Sequence, residues 1–205
     1  MKRVVNRLVK IIDLMRKNKA DENYPVWKNI PLAREMRDIL QDIPPVKGKD
    51  IDATGIVVCC DCIFKEDLLD RRDSPRLCLD FLRIRSAAAQ ARTAEDEEYH
   101  PECFLDPEEV EEIQRYLESY IDPAISMEDW MIAAGAHLKF DPVERSERWE
   151  EIIYDVEKEC DRLLKGEPRG MGFCFSYWST KSSVLRKYGI DWRSPSSMNP
   201  RVMFD

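Results

Sequence analysis

Two short stretches hold the residue types best suited to chemistry. Cys59 and Cys62 are spaced C-x-x-C at the end of an apolar run, residues 55–62, and His100 and Cys103 are spaced H-x-x-C within residues 99–104. Zinc takes four soft thiolate and imidazole ligands in a tetrahedron, and two ligands separated by two residues can bite one metal from a tight turn. Brought together, Cys59, Cys62, His100 and Cys103 would make a Cys3His structural zinc clip. The competing reading is packing. Reduced cysteines are among the most buried residue types, and Cys59 and Cys60 continue the apolar run Ile56, Val57, Val58.

The segment His100, Pro101, Glu102, Cys103, Phe104 resembles the central segment of LIM-type zinc modules. Such a module continues with further C-x-x-C pairs, whereas Phe104 here leads into an acidic helix without cysteine. The resemblance therefore implies paired zinc ligands and not the module's fold. A third chemistry is a cysteine-dependent enzyme using Cys103 or Cys59, but no nucleophile elbow or oxyanion motif accompanies either thiol. No Gly-rich phosphate loop, dinucleotide fingerprint, H-E-x-x-H motif or internal repeat is present, and His100 and His137 are the only imidazoles. A non-enzymatic protein is the expectation.

The elements that would position these residues are helical. Residues 2–18 place Val4, Val5, Leu8, Ile11, Ile12 and Met15 at helical spacing, with basic residues on the other face. A short helix is expected over 31–41, and another over 75–91 with Ser74 as N-cap and Pro75 in its first turn. Three acidic starts then repeat one device, a capping residue followed at the third position by an acid: Asp106 with Glu109, Ser126 with Asp129, and Asp141 with Glu144. They open helices over about 107–121, 127–138 and 142–165. A last helix runs from the aromatic cluster at Phe173 to about Tyr188, where Gly189 supplies a stop. Residues 55–60 are the one candidate β element, and 63–72 a short helix.

The fold class is therefore mainly α, a compact domain of about seven helices with at most one short β element near residues 55–60. Residues 1–50 read as a basic amphipathic helix plus a short helix, and 51–205 as the main helical domain with an aromatic-rich C-terminal helix and tail. Seven cysteines, an odd number, without a secretory leader point to a reducing cytoplasmic setting. No apolar run approaches the roughly 20 residues needed to span a bilayer.

Charge supplies the functional reading. The net charge is −8, distributed unevenly: the first twenty residues are strongly basic and the stretch 95–161 is strongly acidic. The leading expectation is an interaction or regulatory protein that presents an acidic helical surface, centred on Glu108, Glu109, Glu111 and Glu112, to a basic protein partner. One form is a phage or mobile-element inhibitor of a nucleic-acid-binding protein. The alternative is a zinc-clipped module that binds nucleic acid through the basic N-terminal helix and the aromatic-basic C-terminus, namely Trp178, Lys181, Arg186, Lys187, Trp192 and Arg193.

Overall fold

A computed structural model of the chain describes residues 2–21, 23, 25–44, 51–92 and 104–204. The described residues form nine α-helices and two 3-10 turns, with no strand among them. The protein is mainly α. The helices are α1 (Lys2–Lys19), α2 (Ile30–Gln41), α3 (Ala53–Lys65), α4 (Pro75–Gln90), α5 (Pro107–Ile121), α6 (Met127–Ala134), α7 (Glu147–Leu163), α8 (Phe173–Lys187) and α9 (Pro195–Met198). They gather into two compact units, Met1–Glu118 and Ser119–Asp205, with the division falling in the last turn of α5.

The β candidate at residues 55–60 is helical. Asp52, in extended conformation, accepts a hydrogen bond from the Gly55 amide at 2.8 Å and so caps α3. Its apolar residues run without a gap because α3 is buried on nearly all sides: Ile56, Val57, Cys59, Cys60, Cys62, Ile63 and Phe64 are all inside. A short continuous apolar run suits a buried helix as well as a buried strand, and periodicity does not separate them. The helix continues through Lys65, so the expected short helix over 63–72 is absent. Gly55 is required by space: a Cβ there would lie 2.7 Å from the Ile51 side chain.

In the first unit α3 packs along α4, and α1 lies across α2 and α3. The inner face of α1 is Leu8, Ile11, Ile12 and Met15, as the spacing predicts. Its bases face acids of the neighbouring elements. Arg7 donates to Glu35 on α2 through two bonds, and Arg16 donates to Glu66, just past α3, at 2.6 and 2.7 Å. The Arg16 guanidinium holds the Glu66 carboxyl below the usual carboxylate range. Asn29 is fully buried and joins three segments: its amide donates to the carbonyls of Met15 and Leu68 while its oxygen accepts from Asn18.

The most demanding group in this unit is Asp61, on α3, with no solvent exposure. Its carboxylate accepts from Arg85 Nε on α4 at 2.8 Å and from the Leu105 amide at 3.0 Å, while Arg85 also donates to the Leu105 carbonyl at 2.8 Å. Burial pushes the Asp61 carboxyl up, against the opposing pull of Arg85 and the Leu105 N–H.

The second unit is built on aromatic rings. Tyr120, Trp130 and Phe140 form a mutual cluster with centroids 5.2 to 5.7 Å apart. Arg145 fans its guanidinium over the carbonyls of Ser119, Tyr120, Asp122 and Ile125, which satisfies the open C-terminal end of α5 with a cation. Asp141 opens a 3-10 turn (Pro142–Arg145) rather than a long helix, and Ser146 caps α7 by accepting from the Trp149 amide. Ser74 stands at the N-cap of α4, but its hydroxyl makes no capping bond.

Removing one partner of a buried ion pair strands the other and typically costs about 3–5 kcal/mol. Asp61→Ala is therefore expected to destabilise the protein by that amount in urea unfolding, whereas loss of the exposed Arg83–Asp80 pair through Arg83→Gln stays within about 0.5 kcal/mol.

Candidate functional site

Two surfaces of different character emerge, one in each unit. The first is the outward side of α5. The helix opens as the spacing predicts: the Asp106 amide donates to Glu109 Oε2 at 2.8 Å. Glu109 is also gripped by Lys65 from the end of α3, with both carboxylate oxygens 2.7 Å from Nζ, and this holds its carboxyl below the usual range. Glu109 is thus committed to the fold. Glu108, Glu111 and Glu112 are not. They are exposed, and none makes an ion pair among the described residues. At i, i+3 and i+4 they share one side of the helix. Arg115 and Glu118 continue that side, with Glu118 accepting from Gln114 at 2.7 Å.

This distinguishes α5 from the other acidic helix, α7. There Glu151 is paired with Arg148, Glu159 with Arg162, and Asp161 with Arg169. The acidic stretch read from the sequence as one surface is therefore two: one on α7 in which three acids are paired with arginines, and one on α5 in which Glu108, Glu111 and Glu112 make no ion pair among the described residues.

The second surface is a groove of about 440 Å³ between α8 and the segment that follows it. On α8, Phe175, Trp178, Ser179, Ser182 and Arg186 recur at helical spacing and line one wall. Trp192 and Arg193 form the other with serines of the tail. Trp178 meets Phe175 and Phe204 edge to face at 5.5 and 5.1 Å. Arg186 is exposed and makes no ion pair among the described residues. Arg193 is fixed by Asp141, which accepts from its backbone amide at 2.8 Å and from Nε at 3.2 Å. The Trp192 ring is buried, its indole N–H donating to Glu144 at 2.7 Å. Asn199 pins the tail by exchanging hydrogen bonds with the Lys139 backbone.

Four of the six C-terminal residues singled out by sequence, Trp178, Arg186, Trp192 and Arg193, are thus brought to one groove. Lys181 does not join them. It is buried, its ammonium 2.6 Å from Glu157 on α7 and over the rings of Trp149, Tyr177 and Trp192 at 5.0 to 5.7 Å. Tyr177 donates to the same carboxylate at 2.6 Å. Lys187 points elsewhere, 3.8 Å from Glu159. Sequence reasoning missed this buried triad. The available signal was Glu157, which continues the apolar stripe of Ile153 and Val156 and so places a carboxylate where only a partnered one can sit. The serine stripe on α8 was also overlooked.

Of the proposed zinc ligands, Cys59 and Cys62 lie one turn apart on α3, both buried. The Cys62 thiol donates toward Glu66. Burial pushes the neighbouring Cys60 thiol well above its ordinary value, and that of Cys160 to about 12. His100 and Cys103 lie outside the described residues, as does the whole stretch 93–103. Among the described residues no group of three or more His, Cys, Asp or Glu side chains could hold a metal ion. No described helix is long and apolar enough to cross a membrane.

No family model, curated protein or solved structure matches this chain.

The triad and the groove make opposite predictions for adjacent cations on one helix. Lys181→Met strands the buried Glu157 and is expected to cost about 3–5 kcal/mol in urea unfolding. Arg186→Gln, at an exposed position, is expected to change stability by no more than about 0.5 kcal/mol.

Proposed function

We infer that this chain is a non-enzymatic interaction protein that docks a basic protein partner on the outward side of α5. The observation that carries this reading is the contrast in pairing. Most carboxylates in the described part of the first unit have a cation or a backbone amide, yet Glu108, Glu111 and Glu112 are exposed together without one. Like charges at helical neighbour positions cost a few tenths of a kcal/mol per pair. The helix dipole at the first turn and the helical spacing of Glu111 and Glu112 to Arg115 offset part of that cost, and no close ion pair among the described residues holds the three in place.

A row of carboxylates on a rigid helix raises encounter rates with a Lys/Arg-rich surface and disfavours acidic ones. Arg115 lies on the same side and would meet an acid on a specific partner. One form of such a protein is an inhibitor of the kind a phage or mobile element uses, laying carboxylates along the groove of a nucleic-acid-binding protein. The acidic sequence preceding α5, with Glu95, Asp96, Glu97 and Glu98, adds charge of the same sign.

The test uses the full chain and a synthetic Lys/Arg-rich peptide, followed by calorimetry across a salt series. Exposed ion pairs contribute about 0.5 kcal/mol each. The triple change Glu108→Lys, Glu111→Lys, Glu112→Lys is therefore expected to weaken binding at least tenfold at low salt, while Glu147→Lys and Glu151→Lys on α7 leave it within about twofold. Equal affinity of wild type and the α5 variant would overturn the reading.

A further inference from the structure

The groove of the second unit does not belong to the acidic surface and is independent of it. Its chemistry is of the opposite kind. From Lys165 onward the chain carries seven basic residues and three acidic ones. The groove gathers two arginines, six serine hydroxyls and an aromatic wall, with Asp191 the single carboxylate on its lining. We propose that this groove binds a short segment of single-stranded nucleic acid, one base against Trp178 and Phe175 and the adjoining phosphates between Arg186 and Arg193.

The volume suits the ligand. About 440 Å³ is within the range of pockets that hold one small organic group. The aromatic wall is partly accessible: Phe175 is about half exposed and Trp178 is half-buried, its ring meeting Phe175 and Phe204 at near right angles. Bases of every type present a π-face, so such a wall binds without strong sequence preference. The cations are correctly divided. Lys181 is neutralised by the buried Glu157 and does not line the groove, so the groove presents two guanidinium groups, Arg186 from α8 and Arg193 from the segment after it. Arg193 is held by Asp141 with its side chain still 60% exposed, so it is oriented but not consumed. Arg186 is uncommitted. Forked guanidinium donors and serine hydroxyls are the groups that phosphate oxygens accept from.

Two alternatives fit less well. A free inorganic anion leaves the aromatic wall without a role. A basic peptide finds two arginines in its way and one carboxylate to meet.

The experiment is fluorescence anisotropy of a labelled oligothymidylate with the full chain over a salt series. Two phosphate contacts on a single strand predict a log–log salt slope of about −1.4, falling to about −0.7 in Arg186→Gln. Trp178→Ala is expected to weaken binding about tenfold with the slope unchanged, since stacking of one base is uncharged. Because Arg186 is exposed, the slope change in Arg186→Gln is readable even if Trp178→Ala loses stability. Inorganic phosphate at the same ionic strength as a chloride control is expected not to displace the strand further. The proposal is overturned if no saturable binding is seen at low salt, or if Arg186→Gln keeps the wild-type slope. It is also overturned if phosphate alone competes fully, which would make the groove a simple anion site. Charge reversal on α5 has no part in this assay, so its outcome is separate from that of the docking surface.

Discussion

The buried carboxylate of Asp61 sets the geometry on which the acidic surface depends. A charge taken fully out of water costs several kcal/mol, and only good geometry with further hydrogen bonds offsets that cost. Asp61 receives both: the Arg85 guanidinium from α4 and the Leu105 amide from the segment leading into α5. Arg85 closes the circuit on the Leu105 carbonyl. Three elements are therefore tied at one point, and the start of α5 is fixed within two residues of it. The Asp106 amide bonded to Glu109, and Lys65 bonded to the same Glu109, then orient the first turn. What remains on the outward side is Glu108, Glu111 and Glu112. The surface inferred to be functional is thus what the structural interactions leave over. Its acids are neither caps nor partners of internal cations.

The second unit solves the same problem with a different pair. Glu157 and Lys181 are buried together, with Tyr177 supplying an additional hydrogen bond and three rings surrounding the ammonium. This removes a cation from the surface of α8 and leaves Arg186 and Arg193 as the charges that the groove presents. In the first unit a buried ion pair ties the start of α5 to α3 and α4, and in the second a buried ion pair takes Lys181 out of solvent.

Much of the fold was legible in the sequence where local chemistry is decisive. The Asp106, Pro107, Glu109 pattern marks the start of α5, and the amphipathic spacing of α1 and the apolar stripe of α7 give their inner faces. The reading failed at residues 55–60 because α3 is surrounded on nearly all sides, which erases the periodicity that would mark it as a helix. The informative residue was Asp52, three positions before Gly55, acting as an N-cap. The start of α7 was displaced because Asp141 and Ser146 are both competent caps, and Pro142 suits a 3-10 turn as well as an α-helix. Of the sites, the acidic row was visible as composition, but not that Glu109 would be spent on Lys65. The groove was half visible, as aromatics interleaved with bases. The withdrawal of Lys181 was not, because it depends on which face of α8 meets Glu157, a tertiary fact.

The central claim is that the outward side of α5, held in place through Asp61, is where a basic partner docks. The most direct measurement is a backbone amide NMR titration of the full chain with the Lys/Arg-rich peptide. The account predicts that the largest shifts cluster on residues 107–118 and that those of α7 stay near baseline. Shifts centred on α7, or spread evenly over every exposed acid, would contradict it.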